Sequence, residues 1–317
     1  MKTGKDLIAD IDSTKLGRSG LALWWLGQHS FIIKAPAGVI YLDPFLTDMP
    51  GRLVPPLLAP GDVTNAAIIA GTHDHGDHID RPAWPVMAKV SPAARFILPD
   101  PLKAQLAKDL RIPVRRFIGM DDGWTVENIE YRTGNIEYRT RRPGSDTSSF
   151  DISCSIFDNS SNPLNPRNPD SPSPAQGGVR ITAVASAHEF LDRDEATGRY
   201  PYLGYIIKAN GRTIYHAGDC CIYEGLVTKL RRWRFDAMIL PINGRDATRL
   251  AANCIGNMTY QEAADLAGAV GTKLVIPAHY DMFKMNLGSP SDFAAYVSVK
   301  YPKMKVRICE HGERFTI

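Results

Sequence analysis

Thr72-His73-Asp74-His75-Gly76-Asp77-His78 follows on the apolar run Ala66-Ala67-Ile68-Ile69-Ala70. Four donors, His73, His75, Asp77 and His78, crowd one short loop at the end of a strand-like segment. Such a loop adds nothing to a core, and its imidazoles would repel one another if charged. As a metal cradle it makes chemical sense, because imidazole nitrogen and carboxylate oxygen suit Zn²⁺, Fe and Mn²⁺. In an extended loop, residues i and i+2 point the same way, so His73 and His75 can share one ion. Asp77 and His78 then turn toward a second.

The pattern His-x-His-x-Asp-His resembles the signature of the metallo-β-lactamase superfamily, and the likeness extends downstream. His188 ends the alternating strand 179–187, Asp219 follows Thr213-Ile214-Tyr215-His216-Ala217-Gly218, and His279 ends Lys273-Leu274-Val275-Ile276-Pro277-Ala278. By that resemblance His73, His75 and His188 hold one ion, and Asp77, His78 and His279 hold the other. Asp219 bridges both, together with a water or hydroxide. Asp43, after the strand Val39-Ile40-Tyr41-Leu42, resembles the carboxylate that hydrogen-bonds a ligand imidazole from behind; a turn aspartate before Pro44 is the alternative. His216 reads as a residue behind the site or in the core. His29 reads either as facing the cleft or as a hydrogen-bonded turn histidine. The family resemblance implies an α/β fold, an αββα four-layer sandwich of two mixed β-sheets flanked by helices, with residues 1–317 as a single domain.

A finer resemblance is to the L-ascorbate-6-phosphate lactonase (UlaG-like) branch. It rests on Leu23-Trp24-Trp25-Leu26-Gly27, on the 72–80 loop, on Asn243-Gly244-Arg245-Asp246 with Asn257-Met258-Thr259, and on 276–283. The chain departs from that branch at His188, where the branch can carry an acidic residue, and in a long insert.

Composition narrows the function classes. The chain has 317 residues, 44% of them apolar, so it can bury a large core. A net charge of +3 gives no broad field for nucleic acid, so none is expected as a partner. No apolar run is long enough to span a bilayer, so no membrane partner is expected, and the N-terminus lacks a signal-like apolar stretch. The five cysteines, Cys154, Cys220, Cys221, Cys254 and Cys309, form no C-x-x-C pair. Together these features favour a reducing cytoplasm. Cys220 is expected to pack beneath the site. A homo-oligomer is compatible with the sequence.

The remaining chain reads as alternating strands and helices. Strands are expected at 21–27, 30–34, 39–42 and 95–98, and helices at 81–90 and 101–110. Asn128-Ile129-Glu130-Tyr131-Arg132-Thr133 recurs verbatim at 135–140, which fits a hairpin turning at Gly134-Asn135 or a tandem duplication. Residues 143–178 are rich in Pro, Asn and Ser and read as a loop insert. Asn210-Gly211 between alternating apolar runs predicts a second hairpin. Helices are expected at 224–233, from a capping box at Thr259 and Glu262 to about Ala269, and at 291–301. The last residues, 307–310 and 313–317, read as a closing hairpin.

The site implies a metal-dependent hydrolase with two divalent ions per chain, Zn or Mn, with Fe also compatible. Water bound there would be a hydroxide near neutral pH and would open a small polar lactone or ester, phosphorylated in one form. Asp77 and Asp219 are the candidates to carry the proton to the leaving group. Arg245 and Lys284 are candidates to hold an anionic substituent of a small-molecule substrate. Asn243, Tyr280 and Asn286 are candidates for its hydroxyls or carbonyl oxygen. The alternatives are a phosphodiesterase or nuclease on the same fold, or a non-catalytic metal-binding sensor.

Overall fold

The computed structural model describes residues 1–132, 135–143 and 178–317. Most of the insert expected at 143–178 and the turn at 133–134 lie outside the described residues, as does Cys154.

Two mixed sheets face each other. The first runs in the order Arg314–Thr316, Ala22–Gly27, Ser30–Ala35, Gly38–Leu42, Ala66–Ala70, Arg95–Pro99, Phe117–Met120. The second runs Lys305–Val306, Leu274–Ala278, Ala237–Pro241, Arg212–His216, Leu203–Ala209, Val179–Ala185, Thr125–Arg132, Asn135–Arg141. Each sheet has an antiparallel half and a parallel half. In the first, pairing turns parallel from Gly38–Leu42 onward. In the second, the four strands from Arg212–His216 to Lys305–Val306 are parallel.

The period-2 alternation of a strand explains how a fully buried strand serves two cores. In Ala22–Gly27, Leu23 and Trp25 join the larger cluster, which fills the space between the sheets with residues such as Ile181, Tyr205 and Ile207. That cluster continues to Ala264 and Ala267 of the helix Tyr260–Val270 and Phe293 of Pro290–Lys300. Ala22, Trp24 and Leu26 join the second cluster, which is covered by helices Gly4–Ser13, Ala83–Val90 and Lys103–Asp109. The result is the expected αββα sandwich. Among the described residues no helix is long and apolar enough to cross a membrane.

The hairpin around Asn210-Gly211 and the pairing of the repeated segments both form, the latter with Arg132 opposite Asn135. The Thr259–Glu262 capping box forms as read, and Gly271 (φ 80°) ends that helix in the left-handed conformation. The closing hairpin does not form. Lys305–Val306 extends the second sheet, whereas Arg314–Thr316 crosses to the first, where Phe315 sits opposite Leu23. The expected helix 224–233 shrinks to Leu226–Leu230, because Gly225 (φ 89°) starts it in a left-handed conformation. Two helices lay outside the sequence reading, Ala247–Ala251 and Gly4–Ser13; the second buries Leu7, Ile8 and Ile11.

Candidate metal centre

The parallel halves of the two sheets point their carboxyl ends to one place, where ligands of open α/β sheets ordinarily bind. Gly38–Leu42 ends at Asp43, Ala66–Ala70 at the 72–78 loop, Arg212–His216 just before Asp219, and Leu274–Ala278 at His279. Past Thr72 the loop is not extended; it turns, with His78 N donating to His75 O at 3.0 Å. Gly218 lets Asp219 approach this loop. Its φ is 61°, and a Cβ there would meet Leu203 O at 2.7 Å and Thr72 Cβ at 2.8 Å.

The expected ligands gather into two groups, His73, His75, His188 and Asp219 in one and Asp77, His78 and His279 in the other, with donor atoms of each within 4.8 Å. In the first, His75 Nδ1 lies 2.9 Å from His73 Nε2 and 3.3 Å from His188 Nε2. Asp219 Oδ2 lies 3.7 Å from His188 Nε2. In the second, Asp77 Oδ2 is 3.6 Å from His78 Nε2 and 3.4 Å from His279 Nε2. The other oxygen of Asp219, Oδ1, faces this group, 3.3 Å from His78 Nε2 and 3.1 Å from His279 Nε2. Asp219 therefore gives one oxygen to each group. Two donors about 2.0 Å from a tetrahedral ion stand roughly 3.3 Å apart, so these spacings fit ions lodged among the donors. His78 Nε2 and Asp219 Oδ1 are buried without a hydrogen-bond partner, and a cation between them satisfies both.

The electrostatics of the groups differ. Burial pushes His73 well below the ordinary histidine value and His188 down to about 4. Burial opposes charge on His78 too, but Asp219, Asp43 and Asp77 outweigh it and raise His78 well above its usual value. His279 is raised against burial by Asp219 and Asp77. Against the same desolvation, Asp77 is held low by His78 and His279, and Asp219 well below the carboxylate range by His279, His78 and His188.

Asp43 stands behind His78 as read, with Oδ2 2.7 Å from Nδ1. It also accepts from Thr72 N at 2.8 Å and Thr72 Oγ1 at 2.9 Å. This leaves His78 Nε2 free to face the site. His216 is buried behind the site, its Nε2 2.9 Å from His29 O and 4.0 Å from Asp43 Oδ2. His29 is buried beside it, its ring standing edge-on to His216 at 4.2 Å. Several non-glycine residues at or beside the site take positive φ: Gln28 (52°), Asp43 (45°), Glu189 (67°) and His279 (57°). Each such position costs on the order of 1–3 kcal/mol, and such strain clusters where a fold fixes a functional geometry.

Residues 149–280 match the model of the Beta-lactamase superfamily domain, a stretch that holds His188, Asp219 and His279. The chain has the metallo-β-lactamase fold. It is 24% identical over 276 residues to a UPF0173 metal-dependent hydrolase of Sulfurisphaera tokodaii, covering 87% of this chain and 91% of that protein. A UPF0173 metal-dependent hydrolase of Methanospirillum hungatei is 29% identical over 142 residues, which span 44% of this chain and only 60% of the relative. Among solved structures it is similar to Igni18, a metallo hydrolase of Ignicoccus hospitalis, with a TM-score of 0.62, 19% identity, and coverage of 94% of this chain and 99% of that one.

The residues expected to touch substrate do not all gather at this centre. Arg245 is committed to Glu262 through two bonds of 2.6 and 2.7 Å, and lines a separate cleft of about 300 Å³ that includes Arg249 and Ser289 but none of the metal-centre residues. Its charge is thus neutralised by the same carboxylate that caps the following helix. Asn243 and Asn286 are buried and bonded to each other, and the Asn286 amide lies 3.3 Å from His279 Nδ1. Asn286 thus stands behind the His279 ring, and Asn243 lines the cleft beside Arg245. Tyr280 is buried against Trp25, with ring centroids 5.3 Å apart. Lys284 is exposed on the turn Lys284–Asn286. Cys220 is buried in the core beneath Asp219, its thiol pushed by burial up to about 11.

Two neighbours escaped sequence reading. Tyr202 is half-buried with its ring 5.4 Å from both His73 and His188, brought there by Leu203 N bonding to Thr72 O at 3.0 Å. Gln28 places its side-chain nitrogen 2.8 Å from Asp77 Oδ2 and 3.0 Å from His279 Nε2. Neither residue type carries a ligand signal by itself.

Proposed function

We propose that this chain is a metal-dependent hydrolase that holds two divalent ions and opens a small polar lactone or ester. The observation that carries it is the division of Asp219, one oxygen toward each donor group, at the meeting point of both sheets' parallel strands. The relatives named metal-dependent hydrolases support the reaction class, and the likeness to the lactonase branch in the 72–80 and 276–283 segments supports the bond type. Ions held there supply an activated water and electrophilic stabilisation of a developing oxyanion.

The protein's own residues set the terms of that chemistry. Asp43 orients His78, and Asn286 orients His279, so that each presents Nε2 to the site. His75 and Asp77 are half-buried while the other ligands are buried, so a substrate reaches the centre from their side. Asp77 and Asp219, both ionised at neutral pH, are the carboxylates placed to relay a proton to the departing alkoxide. With Arg245 paired to Glu262, the exposed Lys284 is the cation offered to a phosphorylated substituent.

The test is metal content per chain together with a hydrolysis screen over lactones, simple esters, phosphodiesters and β-lactams with Mn²⁺ or Zn²⁺ added. Two ions and turnover of lactones or esters are expected. Turnover of phosphodiesters alone would overturn the proposed bond type, and metal binding without turnover of anything in the screen would favour a sensor.

A further inference from the structure

We propose that Gln28 is itself a ligand of the second ion, through its side-chain carbonyl oxygen. This rests on the two-ion reading above and adds a residue that the His and Asp pattern does not contain.

Gln28 is fully buried and held by its backbone on every side. Its N–H donates to Asp281 Oδ1 at 2.8 Å. Its C=O accepts from His279 N at 2.8 Å and from Trp25 Nε1 at 3.2 Å. The backbone sits at φ 52°, a costly conformation for a non-glycine residue. A turn this tightly fixed delivers one group, the terminal amide, onto Asp77 Oδ2 and His279 Nε2, at 2.8 and 3.0 Å. Those are two of the donor atoms of the second group.

The amide can face the site in two ways, with nitrogen inward or with oxygen inward, and the two are related by a half-turn of the end group. With nitrogen inward it donates to the carboxylate, the favourable arrangement when only protein atoms are present. The outward Oε1 is buried and has no hydrogen-bond partner. Nothing on the outer side locks the amide, so the inner contacts alone decide its orientation. Oxygen inward would set it against the Asp77 carboxylate oxygen, which is unfavourable until a cation lies between them. Then the same spacings become those of neighbouring ligands, and a neutral carbonyl oxygen is a suitable donor to Mn²⁺ and other oxygen-preferring ions. The first group already has three imidazoles and one carboxylate oxygen. Gln28 brings the second group, with Asp77, His78, His279 and the other Asp219 oxygen, an additional oxygen donor.

The experiment measures ions per chain and their affinities by chelator competition with Mn²⁺ and Zn²⁺, on the unmutated chain, Gln28→Ala and Gln28→Glu. The unmutated chain should hold two ions. Gln28→Ala should keep one ion at its original affinity and bind the other at least about tenfold more weakly. The retained ion shows that the ligand loop has folded. Gln28→Glu, which keeps an inward oxygen and cannot donate, should hold both. Both ions bound by Gln28→Ala with unchanged affinity would overturn the proposal. Equal loss in Gln28→Glu and Gln28→Ala would also overturn it, because the amide would then be acting as a donor to Asp77. Fewer than two ions in the unmutated chain would overturn the two-ion reading itself.

Discussion

The two halves of the candidate metal centre are built from similar residues and differ in their electrostatics. The His73, His75, His188 group includes imidazoles that burial pushes toward the neutral form, His188 to about 4. The Asp77, His78, His279 group is rich in carboxylate contacts that pull protons onto His78 and His279. Asp43, Asn286 and the Gln28 turn also contact this group. The contrast teaches that one half is ready to accept an ion and the other must exchange protons for it.

The change expected to act most strongly removes what the halves share. Asp219→Ala should bring activity to background and weaken both ions, read by turnover and elemental analysis; loss of only one ion would show that the carboxylate does not bridge. Next, His188→Ala and His279→Ala should each release a different ion, so that each variant keeps about one per chain. Release of the same ion by both would erase the distinction. Asp43→Asn should cost roughly 10–100-fold in affinity of the second ion, with little effect on the first.

The pH dependence sharpens the comparison further. Protons on His78 and His279 compete with an incoming ion, and their affinity for protons is raised. The second group should therefore lose affinity as pH falls from alkaline through neutral values. His73 and His188 are already neutral across that range, so the first ion should be the less pH-sensitive. Chelator titrations at several pH values check this, and parallel pH profiles for both ions would contradict it. The smallest effect belongs to Arg245→Ala. Its pair with Glu262 is largely exposed and contributes about 0.2–1 kcal/mol to stability. KM for anionic and neutral substrates should be nearly unchanged; a rise in KM confined to anionic substrates would restore it as a substrate residue.

The candidate ligand set was legible because its signals are local. His73 to His78 lie in one loop, and His188, Asp219 and His279 each follow an apolar strand. Other features depend on chain segments far apart in sequence. Gln28 matters because its turn meets His279 across 251 positions. Arg245 looked like a free cation because Glu262, recognised only as a helix cap, also reaches it. Phe315 alternates as a strand residue should, but that pattern does not say which sheet accepts it. The helix Gly4–Ser13 carries Leu7, Ile8 and Ile11 at helical spacing, one short apolar stripe among polar residues.

The most direct test of the account is a crystal structure grown with Mn²⁺ or Zn²⁺ and measured at the metal's absorption edge. The account predicts two anomalous peaks about 3.5–4 Å apart, one within each donor group, with one oxygen of Asp219 on each. A single peak, or peaks away from these residues, would contradict it.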